Sequence, residues 1–198
     1  MCIQWYTRCD ACPSGKEISV NNRKGGNIVE FKEVVKNRYS CKKYSDKKVS
    51  EDKLKTILEA GRLAPTAKNL QEQHIYVATS KEALEKIDVA TPCRYGASTV
   101  LVVAYDKTNV YLYPEDRKNS GDEDATIIAT HMILAAADEE VNSCWINNFN
   151  HDVLHELLGL PDNEEILMLM DLGYAAEGTG PLPNHSKRKD IEATVSYI

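Results

Sequence analysis

The chain has 198 residues, of which 42% are hydrophobic and 27% charged, and its formal net charge is -6. That length suits one domain with a well-buried core and is short for two. The acidic balance argues against general attraction to nucleic acid or anionic lipid. No apolar run approaches the roughly 18 residues of a membrane span, and the N-terminus lacks the apolar stretch of a signal peptide. The expectation is a cytoplasmic protein with neither a nucleic-acid nor a membrane partner.

Residues 1–27 lack periodicity and are read as a disordered or non-native N-terminal extension, with the domain spanning 28–198. Arg23-Lys24-Gly25-Gly26 is one translation of a purine-rich ribosome-binding site, and Val29 one translation of a GTG start; the codons at 23–26 decide that reading. Cys9 and Cys12 form a lone CxxC without the second pair a zinc site needs, so no metal is expected. Ile28–Asn37 reads as a helix with an apolar side at Val29, Phe31, Val34 and Val35. Ser50 caps a second helix, with Leu54, Ile57, Leu58 and Gly61 on one face, which Pro65 stops. His74–Thr79 and Thr99–Tyr105 are β-branched and aromatic and read as strands, with a short helix opened by Ser80 between them.

Glu115–Asp124 reads as an acidic solvated loop. Ala125–Glu139 is apolar on nearly every face, which places it mid-protein or at a subunit interface, with His131 on that buried helix read as a core histidine. Ser143–Ile146 reads as a strand, Asn150–Leu158 as a helix ended by Gly159, and Ile166–Leu172 as an apolar strand interrupted by Asp171. From Gly178 onward the chain is Gly/Pro-rich, then basic, and reads as an arm that needs a surface. Helices come first and strands then mix with helices without βαβ alternation, so the class is α+β. No GxGxxG follows a strand, so a nicotinamide would visit as a substrate.

Two clusters hold the chemistry. Arg38-Tyr39-Ser40-Cys41-Lys42 offers a guanidinium, a hydroxyl and an ammonium, the groups that grip a phosphate. Pro65-Thr66 and then Asn69 and Gln71 offer a turn with a hydroxyl and two amides, suited to the edge of a flat heteroaromatic ring. Joined by an amphipathic helix, they suggest a phosphorylated cofactor, with FMN as the candidate. The plainer readings are a capped helix end and an ordinary turn. His151 and His155 at i, i+4 lack a third ligand, and Trp145 and Tyr174 read as core.

These residues also carry a family likeness. From about Phe31 to Tyr197 the chain resembles the nitroreductase family of FMN-dependent oxidoreductases. The likeness rests on Arg38–Tyr44, Ala64–Gln71, Cys144-Trp145-Ile146, Gly173-Tyr174 and Lys187-Arg188-Lys189, in that order. It implies a mainly antiparallel sheet flanked by helices, and a homodimer with flavin at the interface and the arm crossing to the other subunit. It further implies that Arg38, Ser40 and Lys42 hold the FMN phosphate and ribityl chain with Arg188 closing on the phosphate, that Pro65, Thr66 and Asn69 lie along the ring, that backbone N–H groups around Asn147 and Asn148 approach its N5 and O4, and that Gln71 and Gly173 belong to the same cofactor site. Hydride would pass from NADH or NADPH through the flavin to a nitroaromatic, quinone or similar small-molecule acceptor, without a protein acid or base. The alternative is a non-enzymatic FMN-binding redox sensor or storage protein. Tyr39 and Lys42 stand where arginines are usual, and Glu72-Gln73 replaces a usual Pro-Trp.

Overall fold

Residues 30–114 and 118–198 are described by the computed structural model of the chain. A short helix α1 (Phe31–Asn37) leads to α2 (Glu51–Arg62), β1 (Gln73–Ala78), α3 (Lys81–Ala90) and β2 (Thr99–Asp106). Then follow α4 (Gly121–Asp138), β3 (Asn142–Ile146), α5 (His151–Leu158) and β4 (Glu164–Gly173). The expected caps form. Ser50 Oγ accepts from Lys53 N–H at 3.5 Å, Ser80 Oγ from Ala83 N–H at 3.2 Å, and Asn150 Oδ1 from Val153 N–H at 3.1 Å. Gly159 ends α5 in the left-handed conformation, φ 64.

The strands make one antiparallel sheet in the order β1-β2-β4-β3. Alternation along β2 sends Leu101, Val103 and Tyr105 to one face and Val100 and Val102 to the other. The first face packs on α2 and α4 through Ile57, Ile128 and Met132; the second packs on α3 and α5 through Ile87 and Leu154. Both faces are therefore covered, and each fully buried aliphatic side chain contributes about 1.5–3 kcal/mol. Between Val103 and Ala104 the pairing to β4 slips, from Met168 to Ile166. The extra residue, Leu167, packs on the same side as Met168 and shifts the alternation, so Ile166 faces α5 while Met168, Met170 and Leu172 face α4. The expected α+β class and flanked antiparallel sheet are what the chain adopts.

Three details differ from the sequence reading. α4 begins at Gly121, so Asp122, Glu123 and Asp124 form its first turn rather than the end of a loop. Acids there complement the positive end of the helix dipole. Gly121 is needed because a Cβ would lie 2.3 Å from the Tyr105 ring. His131 is exposed, with Nδ1 2.8 Å from Ile127 O, so it is no core histidine. The apolar side of α1 buries only Val34, leaving Phe31 and Val35 outside.

α4 thus covers the sheet with one face only. Ala125, Ile128, Ala129, Met132 and Ala136 are buried, while Ile127, Thr130 and His131 stay exposed. Among the described residues no helix is long and apolar enough to cross a membrane. The arm from Gly178 has a single 3-10 turn at Ile191–Ala193 and leaves Leu182, Ile191 and Val195 uncovered. Residues 1–29, with Cys2, Cys9 and Cys12 and the expected helix start at Ile28 and Val29, lie outside the described residues, as do 115–117.

Candidate functional site

After α1 the chain turns extended and runs beside edge strand β3. Cys41 N–H donates to Ser143 O at 2.9 Å, and Ser40 bridges Ser143 in parallel register. This pins Arg38, Tyr39 and Ser40 around a cavity of about 290 Å³ whose other walls are Thr130, Ile133, Leu134, Ser143 and Trp145. Its lining combines an arginine and hydroxyl-bearing residues with aliphatic and indole side chains. That donor set fits a group that is anionic at one end and flat and apolar at the other.

Lys42 is carried past the edge of β3 to the opposite face of the sheet. Its ammonium lies 3.2 Å from Tyr95 Oη and 4.5 Å from the ring centroid, with Cys144 also in hydrogen-bond reach. Burial works against its charge, but the bonds to Tyr95 and Cys144 outweigh that and raise its pKa. In the same pocket the Cys93 thiol is shifted down, first by its hydrogen bond to Tyr95, with help from Asn148 and Lys42. Cys41 is fully buried and shifted up by burial, so the thiol beside the phosphate cluster is a packed one. Asp171 is fully buried on β4 with no hydrogen-bond partner on either oxygen, and burial pushes it up to about 9. The nearby Arg94 is engaged by Asp88 at 2.6 Å and by Ala97 O at 2.7 Å.

The second cluster is a strained turn. Lys68, Asn69 and Gln71 all have positive φ, at 52, 56 and 53. Asparagine tolerates that conformation, but each of the other two costs on the order of 1–3 kcal/mol and persists only where its surroundings enforce it. Thr66 enforces it by accepting Gln71 N–H on Oγ1 at 3.1 Å and Asn69 N–H on its carbonyl at 2.9 Å. Asp124 Oδ1 takes Ala67 N–H at 2.9 Å, fastening the turn to the first turn of α4. Pro65, Asn69 and Gln71 face outward.

The sequence-chosen residues therefore fall into separate places. Arg38 and Ser40 share a cavity with Thr130–Leu134, whereas the Thr66–Gln71 turn is tied to Asp124. At 1.5 Å per residue along α4 those anchor points are roughly 9–15 Å apart within one chain. Asn147 Oδ1 accepts Trp145 Nε1–H at 2.7 Å, which sets it near the first cavity. Asn148 takes Thr91 Oγ1–H on its carbonyl at 2.6 Å and donates to Cys93, on the Lys42 side. Gly173 is buried under Tyr44, whose ring would be 2.8 Å from any Cβ, so packing accounts for this glycine. Arg188 bonds the arm's own carbonyls at His185 and Lys187, and His185 meets Tyr39 edge-on at 6.3 Å. The arm thus reaches Tyr39, one of the residues lining the Arg38 cavity. Thr130, Ser143 and His185 escaped the sequence reading because they join the site through register and the return of the arm. Among the described residues no three His, Cys, Asp or Glu side chains could hold a metal.

This fold has counterparts in known proteins. The Nitroreductase family profile matches residues 35–93 and 89–174, and the chain belongs to that family. A nitroreductase family protein of Clostridium difficile 630 is similar at 36% identity and TM-score 0.80, over 85% of this chain and 98% of its own. An Archaeoglobus fulgidus protein, provisionally named an NADH dehydrogenase/NAD(P)H nitroreductase, is 30% identical over 73% of this chain and 85% of its own. A structure from Exiguobacterium sibiricum, described as a complex with FMN, shares the fold at TM-score 0.74 and 20% identity, over 86% of this chain and 98% of its own.

Proposed function

We propose that this chain is an FMN-dependent oxidoreductase that takes electrons from NADH or NADPH and delivers them to a nitroaromatic, quinone or similar acceptor. The observation that carries this reading is the Arg38–Ser40 cavity, whose lining combines an arginine and hydroxyl-bearing residues with Trp145, Ile133 and Leu134. FMN beside a structural neighbour and NAD(P)H in a relative's name support it. When bound, FMN supplies two-electron hydride chemistry at its N5. Arg38 would donate to the phosphate, with Ser40 and Ser143 beside the ribityl chain, and the apolar wall would exclude water from the ring. Arg188, three residues beyond the His185 that meets Tyr39, would add charge from the arm, whereas Lys42, held by Tyr95 on the other face of the sheet, does not line this cavity.

In this reading the ring edge is read by a second copy of the chain. The turn at Thr66–Gln71 is fastened to Asp124, and none of its residues lines the Arg38 cavity of its own chain. The outward residues Ile127, Phe31 and Val35 supply an apolar surface on which a second copy could seat. A homodimer would then bring one subunit's turn to the other's cavity, and the arm's Leu182 and Ile191 would find cover on the partner.

Steady-state oxidation of NADH or NADPH by FMN-reconstituted protein, with a nitroaromatic or quinone acceptor, tests the reading. Acceptor-dependent turnover is expected. In Arg38→Ala the FMN concentration for half-maximal rate should rise, because a charged phosphate contact worth on the order of 1.5–3 kcal/mol is lost. A protein that binds FMN but gives no turnover with any such acceptor would favour a storage or sensing role instead.

A further inference from the structure

Behind the strained turn two carboxyl groups are buried together. Glu72, directly after the turn, and Asp124, in the first turn of α4, are each only 4% exposed. Asp124 Oδ1 accepts Ala67 N–H at 2.9 Å, and Glu72 Oε1 accepts Ser120 Oγ–H at 3.5 Å. The remaining oxygens, Glu72 Oε2 and Asp124 Oδ2, have no donor from any other protein group, although the two side chains are in hydrogen-bond reach of each other. Two ionised carboxylates cannot sit this way, since burial and mutual repulsion both oppose it. One proton between them satisfies both oxygens and leaves a single charge.

We propose that Glu72 and Asp124 are paired positioning residues: one proton held between their carboxyls fastens the Thr66–Gln71 turn to α4, and loss of that proton releases the turn from the flavin edge. The proposal rests on the FMN reading above for its functional consequence, but the clamp itself exists without flavin. Burial, then the neighbouring Asp124, pushes Glu72 up to about 7, so the proton is exchanged within the physiological range. The pair also ties in the loop after β2. Ser120 Oγ accepts Tyr111 N–H at 3.1 Å, and Lys68 stacks on the Tyr111 ring at 4.3 Å.

The other ionisable groups on the packed elements have partners of their own. On α4 these are Asp122, bonded to Tyr105 of β2, and Glu123, bonded to Tyr113 of the loop. Lys68 belongs to the turn, and Asp106 at the end of β2 donates its N–H to Glu72 O at 2.9 Å.

The test compares wild type with Glu72→Gln, in which an amide donates permanently to Asp124 and only one charge is ever present. FMN dissociation constants are measured at pH 6 and pH 8.5, and exchange of the Ala67 amide in the flavin-free protein is followed over the same range, corrected for its intrinsic pH dependence. Wild type should bind FMN at least tenfold more weakly at pH 8.5 and lose Ala67 protection above about pH 7. Glu72→Gln should keep affinity within about twofold and retain Ala67 protection throughout. Equal pH slopes for the two proteins in both measurements would overturn the clamp. If neither protein binds FMN at any pH, the cofactor reading fails, and the Ala67 exchange still decides the clamp by itself.

Discussion

Asp171 is the least comfortable side chain in the molecule: a carboxyl with no exposed surface and no partner on either oxygen. In the sequence it was legible only as a break in an apolar strand. Its surroundings, including Arg94 and Lys42, come from two loops that β-sheet register brings together. Burial pushes the native carboxyl up to about 9, while in the unfolded chain it ionises near the ordinary aspartate value of 3.8. Between those values the native state binds more protons than the unfolded one, so this group lowers stability as pH rises from about 4 to about 9, with no further loss above. Asp171→Asn should therefore be more stable than wild type at pH 8, by at least about 1 kcal/mol, with the difference shrinking towards zero at pH 4. Urea unfolding at the two pH values checks this. A pH-independent difference would mean that Asp171 is ionised and paired in the native protein.

α4 is the element on which both halves of the site are hung, and it was the hardest to bound from sequence. Its apolar residues were plain, but Asp122–Asp124 look like loop until Tyr105 is seen to require Gly121 inside the helix. Ser50, Ser80 and Asn150 were readable because a cap is local, whereas the division of α4 into a packed and an open face depends on α2 and the sheet. The open face gives an element-level prediction. Ile127 belongs to neither core cluster, so Ile127→Glu should still fold, with an unchanged far-ultraviolet circular dichroism spectrum. It should nevertheless convert a two-chain species to a single-chain one in sedimentation velocity, because a charge is costly in a buried interface. A wild type that sediments as one chain would remove the second copy from the account of the ring edge.

At the scale of the whole molecule, one family fold arranges a charged, hydroxyl-rich cavity at the edge of a sheet and a strained turn at the far end of its central helix. The Arg38–Lys42 and Ala64–Gln71 motifs were visible as chemistry in the sequence, since residue types alone suggest a phosphate grip and a ring-edge reader. Their separation along α4, the crossing of Lys42 to the Tyr95 side and the passage of the arm at Tyr39 were not visible, because these follow from packing between segments 50 to 150 residues apart. The central claim is that this arrangement holds a working flavin. The most direct measurement is the visible spectrum of the FMN-reconstituted protein, freed of unbound flavin, before and after NADH or NADPH is added without oxygen. Bands near about 370 and 450 nm that bleach on addition are the predicted result. A protein that stays colourless after reconstitution would contradict the account, as would bound flavin that neither nucleotide reduces.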